Sequence, residues 1–204
     1  MRPLEQNQIS FKGEILRKLT HLFALVIPGG YFLLGLDKGT ALAIMIPITL
    51  GMIIVDIGRL RNWRIWFLLK PLLAPIIREH EMKGDFTGAS YILATSCFAI
   101  AMFSKPVAVA ALAFIMAGDP AAAIVGRKWG KHRYGSKSFE GSLAFLISAL
   151  IVAWLAPGLP PEVGIVGAMV ATVVEAVSSG VDDNASVPLV SGLVMHLLVR
   201  LIYL

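Results

Sequence analysis

Seven apolar stretches follow one another along this chain of 204 residues, and that succession limits its possible folds more than any single motif does. They are Leu16–Leu36, Thr40–Ile57, Gly88–Phe103, Pro106–Val125, Gly141–Ala156, Val163–Ser179 and Val187–Leu204. A helix crosses the hydrocarbon core of a bilayer with about 20 residues, fewer where it is short or broken. Inside hydrocarbon every backbone N–H and C=O needs an internal partner, which leaves the helix as the only segment that satisfies itself. The pattern predicts an all-α, polytopic transmembrane bundle of about seven spans, with residues 1–204 forming a single integral-membrane domain. Composition agrees: 57% of residues are hydrophobic and 15% charged, against about 25% charged in an average soluble domain. An eighth apolar run, Trp63–Ile77, contains Arg64, Lys70, Pro71 and Pro75 and reads as an interfacial or re-entrant helix. The first stretch is too long, and wrongly flanked, for a cleaved signal peptide. Cys97 is the single cysteine, so no intrachain disulfide forms.

The cations set an orientation. Of the 18 Lys and Arg, four precede or include Lys18, six lie in the 57–87 connection and five in the 126–140 loop. The others are Lys38, Lys105 and Arg200. Cytoplasmic loops carry the excess of Lys and Arg. The N-terminus and the three basic segments are therefore expected in the cytoplasm, and the C-terminus outside. The net charge of +5 follows this loop topology and forms no patch for a nucleic acid.

Polar residues inside or beside the apolar stretches gather on the same predicted side. Glu14, Arg17, Lys18 and His21 fall at i, i+3, i+4 and i+7, one face of a helix. Snorkelling accounts for Arg17 and Lys18 but not for His21 one turn deeper. Asp56 and Arg59 read as a local ion pair. Glu175, Ser178 or Ser179, and Asp182 share a face, followed by Asp183, Asn184 and Pro188. From Gly118 to Gly141 a lone carboxylate, Asp119, precedes a short loop holding Arg127, Lys128, Lys131, Arg133 and Lys137 among spaced glycines. An ionisable residue at membrane depth marks a functional site by default. Cations and glycine backbone N–H groups together suit an anion. Carboxylates suit a hard cation such as Mg²⁺ that binds oxygen ligands and phosphates together. The metal ligands expected are Asp119, Asp182 and Glu175, for Mg²⁺ or else Mn²⁺ or Ca²⁺. Gly130–Lys137 reads G-x-x-x-x-G-S-K, with the last two residues of a P-loop transposed and no βαβ context, so a P-loop is rejected. No HExxH, CxxC or GxSxG occurs, and His80, His132 and His196 receive no role.

Taken in order, Glu14, Arg17-Lys18, His21, Arg78-Glu79, Gly84, Gly88-Ala89, Gly118-Asp119, Gly126-Arg127, Gly130-Lys131, Lys137-Ser138, Glu140-Gly141, Glu175, Asp182-Asp183-Asn184 and Pro188 resemble the CTP-dependent lipid kinases. That family includes dolichol kinase, phytol kinase and the fungal-type CTP-dependent diacylglycerol kinase. The resemblance spans nearly the whole chain, and the short length is similar to the phytol- and diacylglycerol-kinase-like branch. It implies transfer of a phosphoryl group from CTP, or another nucleoside triphosphate, to the hydroxyl of a long-chain lipid alcohol, with a divalent metal. It also implies that Arg17, Lys18, Gly118, Asp119 and Gly126 are essential. The nucleotide would then be held by Arg17, Lys18, Gly118, Gly126, Arg127, Lys128, Lys131, Lys137 and Ser138. Asp119, Asp183, Glu175 and His21 would be the catalytic groups, with Asp183 orienting or deprotonating the lipid hydroxyl. The lipid remains open among phytol, polyprenol, other prenols and diacylglycerol. A cytidylyltransferase that makes a CDP-lipid ranks second, because the long Lys-Asp…Pro-Gly-His-Gly-Gly…Asp-Arg signature is missing. A transporter ranks third, because the charges stop on one side.

Overall fold

The computed structural model describes residues 11–203 apart from 75, 76, 78–80, 82, 83 and 179–181. Arg78, Glu79, His80 and Ser179 therefore lie outside the described residues, as does the side chain of Glu14. The described chain is helical almost throughout. In order it forms α1 (Phe11–Phe23), α2 (Val26–Leu33), α3 (Lys38–Leu60), α4 (Arg64–Leu73), α5 (Gly88–Met102) and α6 (Lys105–Trp129). A two-stranded hairpin follows, β1 (Arg133–Tyr134) and β2 (Lys137–Ser138), then α7 (Phe139–Leu155), α8 (Pro161–Val177) and α9 (Asp183–Tyr203). By length and composition α3, α6 and α9 can each cross a membrane, while α5 and α7 are apolar but shorter.

The first apolar stretch is one run in sequence and two helices in space. Pro28 has no N–H to offer the carbonyl of Ala24, four residues back. That carbonyl instead accepts from Ile27 N at 2.9 Å, a tighter turn that ends α1 and restarts the chain as α2. Trp63–Ile77 holds α4, a ten-residue helix. It buries Trp66 and exposes Phe67 and Leu68, the two-faced pattern of a helix lying along an interface. The last helix starts earlier than the apolar run. Asp182 caps it, with Oδ1 accepting from Asn184 N at 2.9 Å, so Asp183 and Asn184 belong to its first turn.

The core sits around α6, which is apolar all round as a central helix must be. Its hydrophobic window is 72% buried, against 28% for α3 and for α9. It packs against α1, α2, α5, α7, α8 and α9. Its closest approach is to α7, along a row of small residues spaced by four: Gly118, Ala122, Gly126 and Gly130. Such rows let helix backbones come together in membranes. A Cβ on Gly118 would fall 2.6 Å from the ring of Phe145, which is fully buried on α7 and has nowhere to move.

The helices alternate in direction, so their ends collect at two levels. At one end Lys38 Nζ donates to Ala101 O at 2.8 Å, Lys105 Nζ lies 4.8 Å from the centre of the Tyr31 ring, and Tyr203 OH donates to Glu162. The other end holds the C-termini of α3, α6 and α8, the N-termini of α5, α7 and α9, and the hairpin. All the residues singled out for phosphate, metal or catalysis lie towards this second end.

Overpacking a core costs about 1–3 kcal/mol. Gly118→Ala should lower the thermal midpoint in detergent, and Phe145→Leu in the same chain should recover part of the loss. An unchanged midpoint for Gly118→Ala would show that the α6–α7 approach is looser than described.

Candidate functional site

Asp119 lies inside α6 between Gly118 and Pro120 and is 7% exposed. A carboxylate there needs compensation, because the penalty for an uncompensated buried ion is several kcal/mol. Helix α1 supplies it. Lys18 Nζ reaches Asp119 Oδ1 at 2.5 Å and Oδ2 at 2.6 Å. His21 Nδ1 lies 2.9 Å from Oδ2. Lys18 and His21 are one turn apart on α1, and both are buried. The i, i+3, i+4, i+7 face read in the sequence thus meets the carboxylate a hundred residues further on. Both oxygens of Asp119 are engaged by Lys18 in this arrangement.

A second cluster joins the hairpin to α8 and α9. Gly135, at the first turn position with φ +57°, makes the two-residue connection that pairs Tyr134 with Lys137. From β2, Lys137 Nζ approaches Glu175 Oε1 at 2.7 Å and Asp183 Oδ2 at 3.9 Å, and also donates to the carbonyl of Glu175. Ser142 Oγ donates to Glu175 Oε2 at 3.4 Å. Asp182 is turned to its capping role. Ser138 caps α7, its Oγ accepting from Gly141 N at 3.1 Å. The same Oγ fills the notch that Gly126 leaves, where a Cβ would stand 2.9 Å from it. Close packing accounts for Gly118 and Gly126 in this arrangement. Arg127, Lys128 and Lys131 are exposed around the hairpin, and Lys128 Nζ lies 4.6 Å from the centre of the Trp129 ring.

The sequence-derived residues therefore fall into two groups: Lys18, His21 and Asp119 in one, Lys137, Glu175 and Asp183 in the other, where the structure adds Ser142. Among the described residues no hydrogen bond or ion pair joins Asp119 to Glu175, Asp182 or Asp183. The described residues also hold no group of three or more His, Cys, Asp or Glu able to chelate a metal by themselves. Mg²⁺ asks for less, one or two carboxylates together with substrate phosphates and water. Glu175 and Asp183, within 4 Å of one Nζ, meet that requirement.

A third polar cluster is larger than the sequence suggested. Asp56 and Arg59 do pair, Nε to Oδ1 at 3.0 Å, and both are buried. Asp56 Oδ2 also accepts from Thr87 N at 2.8 Å, Thr87 Oγ1 at 2.8 Å and Ser90 Oγ at 2.6 Å. Arg59 donates to the carbonyls of Glu81 and Asp85, each at 2.5 Å. The C-terminus of α3 is thereby clamped to the N-terminus of α5. The i, i+3 spacing disclosed the pair. Its partners some thirty residues away left no periodic signal.

A CTP-dependent diacylglycerol kinase 1 of Schizosaccharomyces pombe is 28% identical over 96% of this chain and 98% of its own length. The likeness to this CTP-dependent lipid kinase runs over nearly the whole chain. The phytol kinase of Synechocystis is 33% identical, over 59% of this chain and 58% of its own length. An uncharacterized protein of Rickettsia prowazekii is 28% identical over 88% of this chain and 91% of its own length. The chain spans about half of each plant protein named as a probable phytol kinase that it matches. No protein-family model and no solved structure matches it.

Removing one partner of a buried ion pair costs about 3–5 kcal/mol, whereas removing both relieves the stranded charge. Lys18→Ala should therefore destabilise the protein by that order, and Lys18→Met with Asp119→Asn should restore most of the thermal midpoint. Additive losses in the double variant would deny the coupling of α1 to α6 through this pair.

Proposed function

We propose that the protein is a membrane kinase that transfers the terminal phosphoryl group of CTP to the hydroxyl of a long-chain lipid alcohol at the cytoplasmic leaflet. The observation that carries this reading is the buried carboxylate of Asp119 with Lys18 and His21 gathered on it, in a chain related throughout its length to lipid kinases. A bundle that only spans a membrane has no use for a charged core of this kind. Phosphoryl transfer depends on positioning and on neutralising charge, with little covalent work for the protein. Arg17 and Lys18 on α1, with Arg127, Lys128, Lys131 and Lys137 around the hairpin, supply cations for a triphosphate. Lys18 and Lys137 each rest on carboxylates that phosphate oxygens would replace. Glu175 and Asp183 would hold Mg²⁺ together with the substrate phosphates. Bound there, the ion would neutralise the phosphates and orient the group being transferred. His21 or Asp183 would orient the acceptor hydroxyl.

Positive-inside counting supports seven crossings of the cell membrane with the N-terminus and the hairpin in the cytoplasm, where nucleoside triphosphates reside. The experiment for the reaction offers the purified protein each labelled nucleoside triphosphate with a panel of lipid alcohols and identifies both products. CDP and a phosphorylated lipid are expected. Pyrophosphate and a CDP-lipid would make it a cytidylyltransferase. Asp119→Asn should reduce turnover at least about a hundredfold, the scale of losing one strong electrostatic contact in an active site, in an assay run below the lowered thermal midpoint that stranding Lys18 produces. Near-normal activity in that variant would remove Asp119 from the reaction.

Orientation is checked with single cysteines in a Cys97→Ser background. Ser136→Cys, at the exposed hairpin tip, should react with a thiol reagent applied from the cytoplasm, and Pro157→Cys, between α7 and α8, should not. Nucleotide with Mg²⁺ should slow the reaction at position 136. Labelling of position 136 only from outside would reverse the topology.

A further inference from the structure

The catalytic reading leaves one large feature unused. A cavity of about 470 Å³ lies between the α1–α2 pair, α3, α4 and α5. Its long wall is a stripe on α3, Met45, Ile48, Met52 and Val55, spaced 3, 4 and 3 along one helical face. From Met45 to Asp56 that wall runs about 16 Å at 1.5 Å per residue. Trp66 of α4, buried itself, faces the stripe's cavity, and Phe23 and Val26 at the break between α1 and α2 belong to the lining while remaining exposed on the outer surface of the bundle. The cavity is thus apolar along its length and adjoins the surface that meets lipid.

Part of the lining is polar. Asp56, Arg59 and Thr87 belong to it, but they are bound to one another in the clamp between α3 and α5. From α1, His21 belongs to it together with Arg17 and Thr20. Of the two α1 side chains that rest on Asp119, Lys18 and His21, only His21 also borders the cavity. It is the physical link between the apolar chamber and the charged core of α6.

Resting on the kinase reading above, we infer that this cavity is the acceptor subsite, and that it takes a lipid alcohol with a single long chain, the hydroxyl lying at His21 and the chain along the α3 stripe. The volume of the chamber corresponds to one chain rather than two. At roughly 30 Å³ for each water-sized group, the volume holds on the order of sixteen such groups, one chain's worth. A hydroxyl needs a hydrogen-bonding partner when it leaves water, and His21 in the lining offers one beside the Asp119 cluster.

The experiment compares phytol with dioleoylglycerol as acceptors for CTP in mixed micelles. Phytol should be used with a kcat/KM at least about tenfold higher, the discrimination an apolar pocket delivers. Met52→Trp, which fills the stripe, should raise the KM for phytol about tenfold and leave the KM for CTP unchanged. Ile54→Trp, on the exposed side of α3, should change neither, and Met52→Phe serves if the larger residue prevents folding. Binding is read separately, without turnover. A bromine-labelled single-chain alcohol should quench Trp66, measured as the difference between the native chain and Trp66→Phe, and a bromine-labelled diacylglycerol should not. Preference for dioleoylglycerol, or a folded Met52 variant with an unchanged KM for phytol, overturns the subsite while leaving the kinase intact. Absence of transfer to any alcohol, with Trp66 still quenched, defeats the kinase reading and keeps the chamber as a single-chain lipid site. Absence of quenching overturns the chamber in either case.

Discussion

The charge at Asp119 is the constraint from which the rest of this structure follows. It stands in the most buried helix of the bundle, where an ion without a partner is not tolerated. Lys18 and His21 answer it from α1, and in doing so fix α1 against α6. Because the chain turns at Ala24 and continues as α2, that one pairing also fixes where α2 lies. The wall of the chamber between α1, α2 and α3 is then a product of an electrostatic demand, not of apolar packing alone.

The second half of the bundle is governed by steric closeness. The small residues of α6 admit α7, and Ser138 settles into the notch between Gly126 and Gly141. That contact positions the start of α7 and the strand before it, so Lys137 reaches Glu175 and Asp183 on two other helices. Charge organises one side of the second end of the molecule, and backbone proximity organises the other. α6 takes part in both, which is why its sequence departs from a plain apolar run at Gly118, Asp119 and Gly126.

Much of the fold was legible in the sequence, because length and hydropathy suffice to locate helices that sit in hydrocarbon. The stretches starting at Thr40, Gly88, Pro106 and Gly141 correspond to α3, α5, α6 and α7 within a few residues. The break after Phe23 was harder to read, since Pro28 interrupts hydrogen bonding four residues before itself. The site was legible as a set of residues rather than as an arrangement. Asp119 stood out because a carboxylate among apolar residues is conspicuous, but nothing local says that its partners are Lys18 and His21. In the sequence the glycines of the 118–130 region suit backbone contact with an anion, and in the structure Phe145 and Ser138 stand where a Cβ at Gly118 or Gly126 would fall. Spacing reports that a backbone is approached closely and does not report by what. The Asp56 clamp and the chamber beside it depend on three-dimensional neighbours with no periodic signature.

The hairpin carries a consequence for how such a chain varies over evolutionary time. Its tip, Gly135-Ser136, is exposed, with open space around Gly135, so additional residues there would extend into water at little expense. Past the tip the freedom ends abruptly. Residues 139–141 already form the first turn of α7, so losing one of them would swing Ser138 by about 100° around the helix axis, lift it out of its notch and carry Lys137 with it. Among descendants of one ancestor, length differences should therefore accumulate before position 137 and be purged after it. A boundary a single residue wide would separate a freely drifting loop from a segment fixed in register.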